Sequence, residues 1–192
     1  MSDAPPTNVR TERVWDPLVR IGHWLLALSV LTAWLTRHSP GRWHEWIGYA
    51  SLAIVAVRLL WGWRGSRYAR FADFLRSPRD TLTYAHAMLR GREPRSIGHN
   101  PLGGWMIVAL LVMVTLVGAS GWLYTTDRYW GVEWVETLHD ALANVLFALV
   151  GLHVAGVLYG SVRHRENLIA AMLHGRKKVA VGRPAAGSSV EK

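Results

Sequence analysis

Apolar positions in this chain come in long uninterrupted runs and not in the three-or-four-residue stripe of a soluble amphipathic helix. Four segments carry such runs, at about residues 18–36, 46–63, 102–124 and 138–162. Each is near the length of about 20 residues that a helix needs to cross a bilayer, and each is apolar almost all the way round. A soluble helix of that length would keep a charged face. The pattern predicts an all-α integral membrane four-helix bundle. Two further helices are predicted outside the spans. Ser77 would cap one, with Pro78 in its first turn, Asp80 at its positive end and Gly91 beyond its stop. Its Leu82, Ala85 and Leu89 share a face suited to the membrane surface. The other follows Asn167 and ends at Gly175, and Asn100-Pro101 reads as the cap and first turn of the third span. The domain is expected over residues 1–178, with a disordered tail over 179–192 that is rich in Gly, Pro and Ser. Residues 1–13 are polar and no small-residue cleavage site follows the first apolar run, so that run is expected to stay in place.

Charge gives the orientation. Of 22 Lys and Arg residues, most lie in three places: before the first span, between the second and third, and after the fourth. The other two connections hold only Arg37 and Arg42, and then Arg128 beside Asp127, Glu133 and Glu136. Basic residues stay on the cytoplasmic side, so both termini and the middle connection are expected there. Topology also explains the net charge of +9, which argues against a nucleic-acid partner. The lipid bilayer is the expected surrounding, and nine of the 11 Trp residues, among them Trp15 and Trp61, fall near span ends as an interfacial belt would.

The chemistry is in the histidines. The absence of Cys excludes iron–sulfur clusters and thioether-linked haem. His139 and His153 stand 14 residues apart on the fourth span, which puts them on one face, about 40° apart in azimuth and about 21 Å apart along the axis. His23 lies near the cytoplasmic end of the first span and His44 near the outer end of the second. The charge-derived topology sorts the four into two layers, His23 with His153 inside and His44 with His139 outside. Two imidazoles from facing helices are the ligand set of a haem that carries electrons and has no vacant axial position. Two such layers predict two non-covalent haems b and an electron path across the bilayer. One tetrahedral zinc is disfavoured, because its ligands must all reach one ion. Arg58 shares the face of His44, 14 residues on, and two readings stand for it: a partner for a haem propionate, or a side chain reaching back to the cytoplasmic surface. His99, just before the third span, is read as structural in preference to a ligand-binding role.

The stretch Arg13–Trp24, with Trp15-Asp16-Pro17 and Gly22-His23, resembles the start of the bacterial cytochrome b561 and nickel–iron hydrogenase b-type cytochrome superfamily. Trp43-His44-Glu45-Trp46-Ile47-Gly48-Tyr49, Arg58–Gly62, Arg70–Phe74, His99–Gly103, Thr126–Gly131 and the fourth span with its two histidines extend the resemblance over about residues 10–178. It implies a di-haem cytochrome b of the bacterial inner membrane, multi-pass, with the same four ligands. It also implies exchange of electrons between the quinone pool and a partner redox protein such as a cytochrome c or a dehydrogenase subunit. The alternative is a stand-alone quinone oxidoreductase that oxidises superoxide, with Arg37, Arg42 and Arg128 steering the anion. A transporter is disfavoured because the spans lack buried carboxylates.

Overall fold

The computed structural model describes residues 9–38 and 42–180. Four long helices form the body: α1 (Pro17–Thr36), α2 (Trp43–Arg64), α5 (Pro101–Tyr124) and α6 (Glu133–Arg163). Three short ones, α3 (Phe71–Phe74), α4 (Pro78–Leu89) and α7 (Leu168–His174), and two strands, β1 (Val9–Arg13) and β2 (Arg176–Ala180), gather at one end. All four long helices are apolar enough and long enough to cross a membrane. Leu28, Leu60 and Val162 are among the large side chains they leave exposed. Outward-facing Leu and Val are favourable only where the surroundings are lipid.

Neighbouring spans run antiparallel. His44 at the start of α2 reaches Ala33 near the end of α1, and Ser51 reaches Ser29 deeper in. Tyr124 at the end of α5 reaches Glu136 at the start of α6. The bundle thus has a loop end, where α1 passes to α2 and α5 to α6, and a terminal end, where β1 and β2 lie. Close packing joins α1 to α2, α2 to α5 and α5 to α6. Gly118 makes the α2–α5 approach possible, since a Cβ there would stand 2.6 Å from Leu52. The core between the two ends is Val55, Leu111, Val114 and Leu146, with Leu26 and Val30 packed against it.

The helix starts follow local chemistry. Asp16, Ser77, Asn100 and Asn167 each accept a backbone N–H in the first turn of α1, α4, α5 and α7, and Pro opens the first three. Such caps supply partners for N–H groups that would otherwise have none. Two spans begin earlier than hydropathy alone places them. Helix α2 takes in Trp43, and α6 starts at Glu133 because its first, acidic turn is held by Tyr124 Oη at 3.1 Å from Glu136. On α4, Tyr84 is buried while Leu82 and Leu89 stay exposed, as a surface-lying helix requires.

The strands were not legible in the sequence. β1 pairs antiparallel with β2, Arg10 opposite Val179 and Glu12 opposite Lys177, so residues 179 and 180 of the expected tail are paired in a strand. The remainder of that tail, residues 181–192, lies outside the described residues. Gly175 hinges the closure. Its carbonyl accepts from Val14 and Trp15 at 2.9 and 3.1 Å, its φ is +78°, and a Cβ would meet the Trp15 carbonyl at 2.5 Å. A left-handed residue with a side chain costs about 1–2 kcal/mol, before that clash is counted. Gly175→Val is therefore expected to lower the thermal midpoint of the detergent-solubilised protein, measured by circular dichroism, and to expose the β1–β2 segment to protease.

Candidate haem sites

Two imidazole pairs bridge α6 to the α1–α2 pair, and they do so where close backbone packing between those elements is lacking. At the terminal end His23 of α1 faces His153 of α6, ring centres 6.3 Å apart and planes inclined at 54°. At the loop end His44 of α2 faces His139 of α6, 6.0 Å apart and 86° inclined. The pairing is the one the sequence predicts, and the histidines meet in twos; no group of three or more metal-binding side chains occurs among the described residues.

The spacing has a chemical meaning. A first-row metal binds an imidazole nitrogen at about 2 Å, and that nitrogen lies roughly 1.1 Å from the ring centre by covalent geometry. Two imidazoles on opposite sides of one metal therefore have centres about 6.2 Å apart. Rings in direct hydrogen-bonded contact would fit less well, and no bond between the members of either pair is found among the described residues. Between the layers, Trp34 of α1 stacks on Phe147 of α6, centres 4.3 Å apart. Leu146 stands midway between the two histidines of its own helix. Apolar side chains thus separate the sites.

The loop-end imidazoles are oriented by groups that hydropathy cannot reveal. His44 Nδ1 lies 3.0 Å from the Ala33 carbonyl. His139 Nδ1 lies 3.1 Å from both the Val117 carbonyl and Ser120 Oγ. A carbonyl only accepts, so Nδ1 carries the proton on both rings and Nε2 is left with a lone pair for a metal. Ser120 is buried and turns its own hydroxyl on the Val117 carbonyl at 2.9 Å. Next to it, Gly121 gives His139 its room: a Cβ there would stand 3.0 Å from Cε1 and 3.3 Å from Nδ1. Helix α5 carries no histidine in its span, yet it orients the His139 ring.

At the terminal end the polar atoms are unspent. His23 Nδ1, Arg20 Nε, Arg58 Nη1 and His99 Nδ1 are all buried with no partner. Arg58 does not run out to the surface. Its Nη2 donates to the Ala69 carbonyl at 3.1 Å, and its guanidinium lies 5.1 Å from the centre of the Phe71 ring. Arg20 also bonds the Leu173 carbonyl, and its place one turn before His23 was the signal that could have found it. His99 is wedged between Trp15 at 4.4 Å and Phe74 at 4.8 Å. Burial first, and then the charges of Arg58, Lys177, His153 and His23, push its imidazole down to about 3, so it is neutral at physiological pH. Trp15 is thereby buried and not an interfacial anchor, and Trp61 donates to Asp16 at 3.0 Å. Trp43, Trp46 and Trp63 are exposed as a belt requires.

These features suit a flat, dianionic porphyrin. Gly22 and Gly48 are half-buried, yet a Cβ on either would meet nothing within 4 Å. Buried guanidinium and imidazole N–H groups without partners suit propionates, since an unsatisfied buried donor costs about 1–3 kcal/mol and more for a charged one. The loop-end arginines are engaged locally: Arg42 pairs with Glu45 at 3.1 Å and Arg37 bonds the Trp34 carbonyl at 3.0 Å.

Comparison with known proteins agrees with the geometry. The family model described as prokaryotic cytochrome b561 matches residues 14–175. No curated protein and no solved structure matches the chain. The match begins just ahead of α1, ends at the Gly175 hinge and encloses both histidine pairs. The chain belongs to the prokaryotic cytochrome b561 family of transmembrane b-type electron-transfer cytochromes.

Proposed function

We propose that this chain holds two haems b, one between His23 and His153 and one between His44 and His139, and passes electrons between the quinone pool and a partner redox protein. The observation that carries the reading is the pair of cross-helix imidazole couples at 6.3 and 6.0 Å, the spacing of two ligands on one metal. Bis-imidazole haem iron takes up and releases one electron and has no vacant position for oxygen or substrate.

The residues divide the work. The four imidazoles orient and bind; Ala33, Val117 and Ser120 hold two of them in the tautomer that presents Nε2. Arg58 and Arg20, each with a buried unpartnered N–H, would bind propionates at the terminal end. Trp34 and Phe147 stack between the sites. With basic residues retained on the cytoplasmic side, the terminal end faces the cytoplasm of a bacterial cell whose inner membrane the bundle spans, and the loop end faces outward.

A pyridine haemochrome assay on the purified protein, expressed with ample haem supply, tests this directly. Two haems b per chain are expected. One haem would remove the electron path between layers, and none would remove the cytochrome reading.

A further inference from the structure

Helix α4 lies outside the four spans, and three contacts with α5 fix its depth. Tyr84 is buried, its hydroxyl beside the side chain of Asn100, the cap of α5. Trp105, one turn into α5 and itself exposed, donates from Nε1 to the Arg76 carbonyl at 3.2 Å. Phe74, just ahead of α4, is buried close to Gly104, where a Cβ would stand 3.0 Å from the Phe74 carbonyl. These anchors on α5 all fall within residues 100–105, where a membrane-spanning helix begins. Helix α4 is therefore held level with the membrane surface and does not stand off in water. Its faces are unlike. Leu82 and Leu89 are seven residues apart, about 20° in azimuth, and are 62% and 82% exposed. An apolar face left open at that depth meets lipid. Arg79 and Arg90 follow one flank of it, about 20° apart in azimuth and about 16 Å apart along the axis. Arg76 and Arg92 extend the two ends. All four arginines are exposed, and none pairs with a carboxylate among the described residues. Asp80, the single acid on the helix, accepts from Ser77 Oγ at 2.8 Å.

We infer that α4 is a docking surface for anionic phospholipid. Leu82 and Leu89 enter the boundary between headgroups and acyl chains, and Arg76, Arg79, Arg90 and Arg92 bind the phosphates around them. A guanidinium presents paired N–H groups that match phosphate oxygens. Charge selects among lipids: a zwitterionic surface offers the same apolar boundary without the net negative charge that four unpaired arginines attract. Depth and charge are separate features of the chain, and both point to the headgroup layer. The surface is distinct from both histidine pairs. Through Tyr84 it steadies the start of α5, with the Asn100 cap and His99 just before it.

The test uses the full chain and has two parts. The chain has no cysteine, so Leu82→Cys and Thr83→Cys each give a single site for a spin label, about 100° apart around the helix. In nanodiscs of phosphatidylcholine with added phosphatidylglycerol, the label at 82 is expected to be relaxed by oxygen and shielded from a water-soluble nickel chelate, and the label at 83 the reverse. In the second part, lipid retained by the purified protein from an equal mixture of phosphatidylglycerol and phosphatidylcholine is counted by mass spectrometry. Enrichment in phosphatidylglycerol is expected. Changing Arg76, Arg79, Arg90 and Arg92 together to Gln is expected to lower it by roughly fivefold for each arginine at the surface, and changing them to Lys, which keeps the charge, to preserve most of it. Arg79→Gln alone shows the same sign if the quadruple variant does not purify. A control neutralises Arg64, Arg67, Arg165 and Arg176, which are exposed at the same end, and is expected to lose less. Equal loss in that control would spread the effect over the whole end and overturn the inference. Absence of enrichment in the wild type would do the same. So would a label at 82 open to nickel in the bilayer, which would assign the face to a protein partner.

Discussion

His44→Ala and His139→Ala are each expected to purify with one haem per chain in place of two, and the haem they lose is expected to be the same one. The double variant should lose no more than either single. His23→Ala and His153→Ala should remove the other haem, again with no further loss on combination. The reason is that an axial pair acts as a unit. The two imidazoles of each couple lie on different helices, so a haem iron would be the link between the two rings, and either ring alone would leave an open coordination position. The loop-end and terminal-end histidines of α6 stand about 21 Å apart along the axis, far enough for the sites to respond separately. Pyridine haemochrome content and the shape of the reduced α-band, read on single and double variants, check this. Loss of both haems in every variant would show that the bundle cannot assemble around one haem. Loss of one haem in His23→Ala that matched the haem lost in His139→Ala would overturn the pairing.

The spans were legible because the bilayer demands long apolar runs, a constraint written in composition and needing no tertiary knowledge. The caps were legible because Asn100-Pro101 and Ser77-Pro78 satisfy local N–H groups by local chemistry. The histidine pairs were legible because alternating spans convert sequence position into depth. What was hidden depends on contacts between distant segments. The β1–β2 pairing joins strands more than 160 residues apart, each with a polar, charged sequence that carries no apolar alternation. The carbonyls of Ala33 and Val117 have no side-chain signature at all. Ser120 reads in sequence as one more small residue in an apolar helix, and only its 3.1 Å approach to His139 gives it a part in the site. Gly118 and Gly121 look alike in sequence, and the structure separates them: one receives Leu52 of α2 and the other receives the His139 ring of α6.

That separation leads to the sharpest test of how the His139 ring is held. Helix propensity alone predicts that Gly121→Ala stabilises α5 by about 1 kcal/mol, and Gly118→Ala should gain as much. Packing opposes both, by different means. At Gly118 the new Cβ meets the outer atoms of Leu52 at 2.6 Å; a flexible side chain can swing aside, so both haems are expected to stay. At Gly121 the new Cβ meets the His139 ring at 3.0 Å. That ring cannot swing away without giving up its bonds to Val117 and Ser120 and its place opposite His44. Alanine requires a displacement of a few tenths of an ångström, and the expected result is two haems with a shifted loop-end signal. Valine adds two methyl groups with a nearly fixed rotamer in a helix, which fall within the ring's own volume. Gly121→Val is expected to lose the loop-end haem, or to bind it about 10–100-fold more weakly, while the His23–His153 haem keeps its spectrum. Haem titration of the apoprotein followed at the Soret band measures the affinity, and circular dichroism shows whether the helices persist. Retention of both haems with wild-type affinity in Gly121→Val would mean that His139 does not take its orientation from α5. Loss restricted to one haem, with helicity intact, would establish that a helix without a histidine in its span governs a ligand on its neighbour.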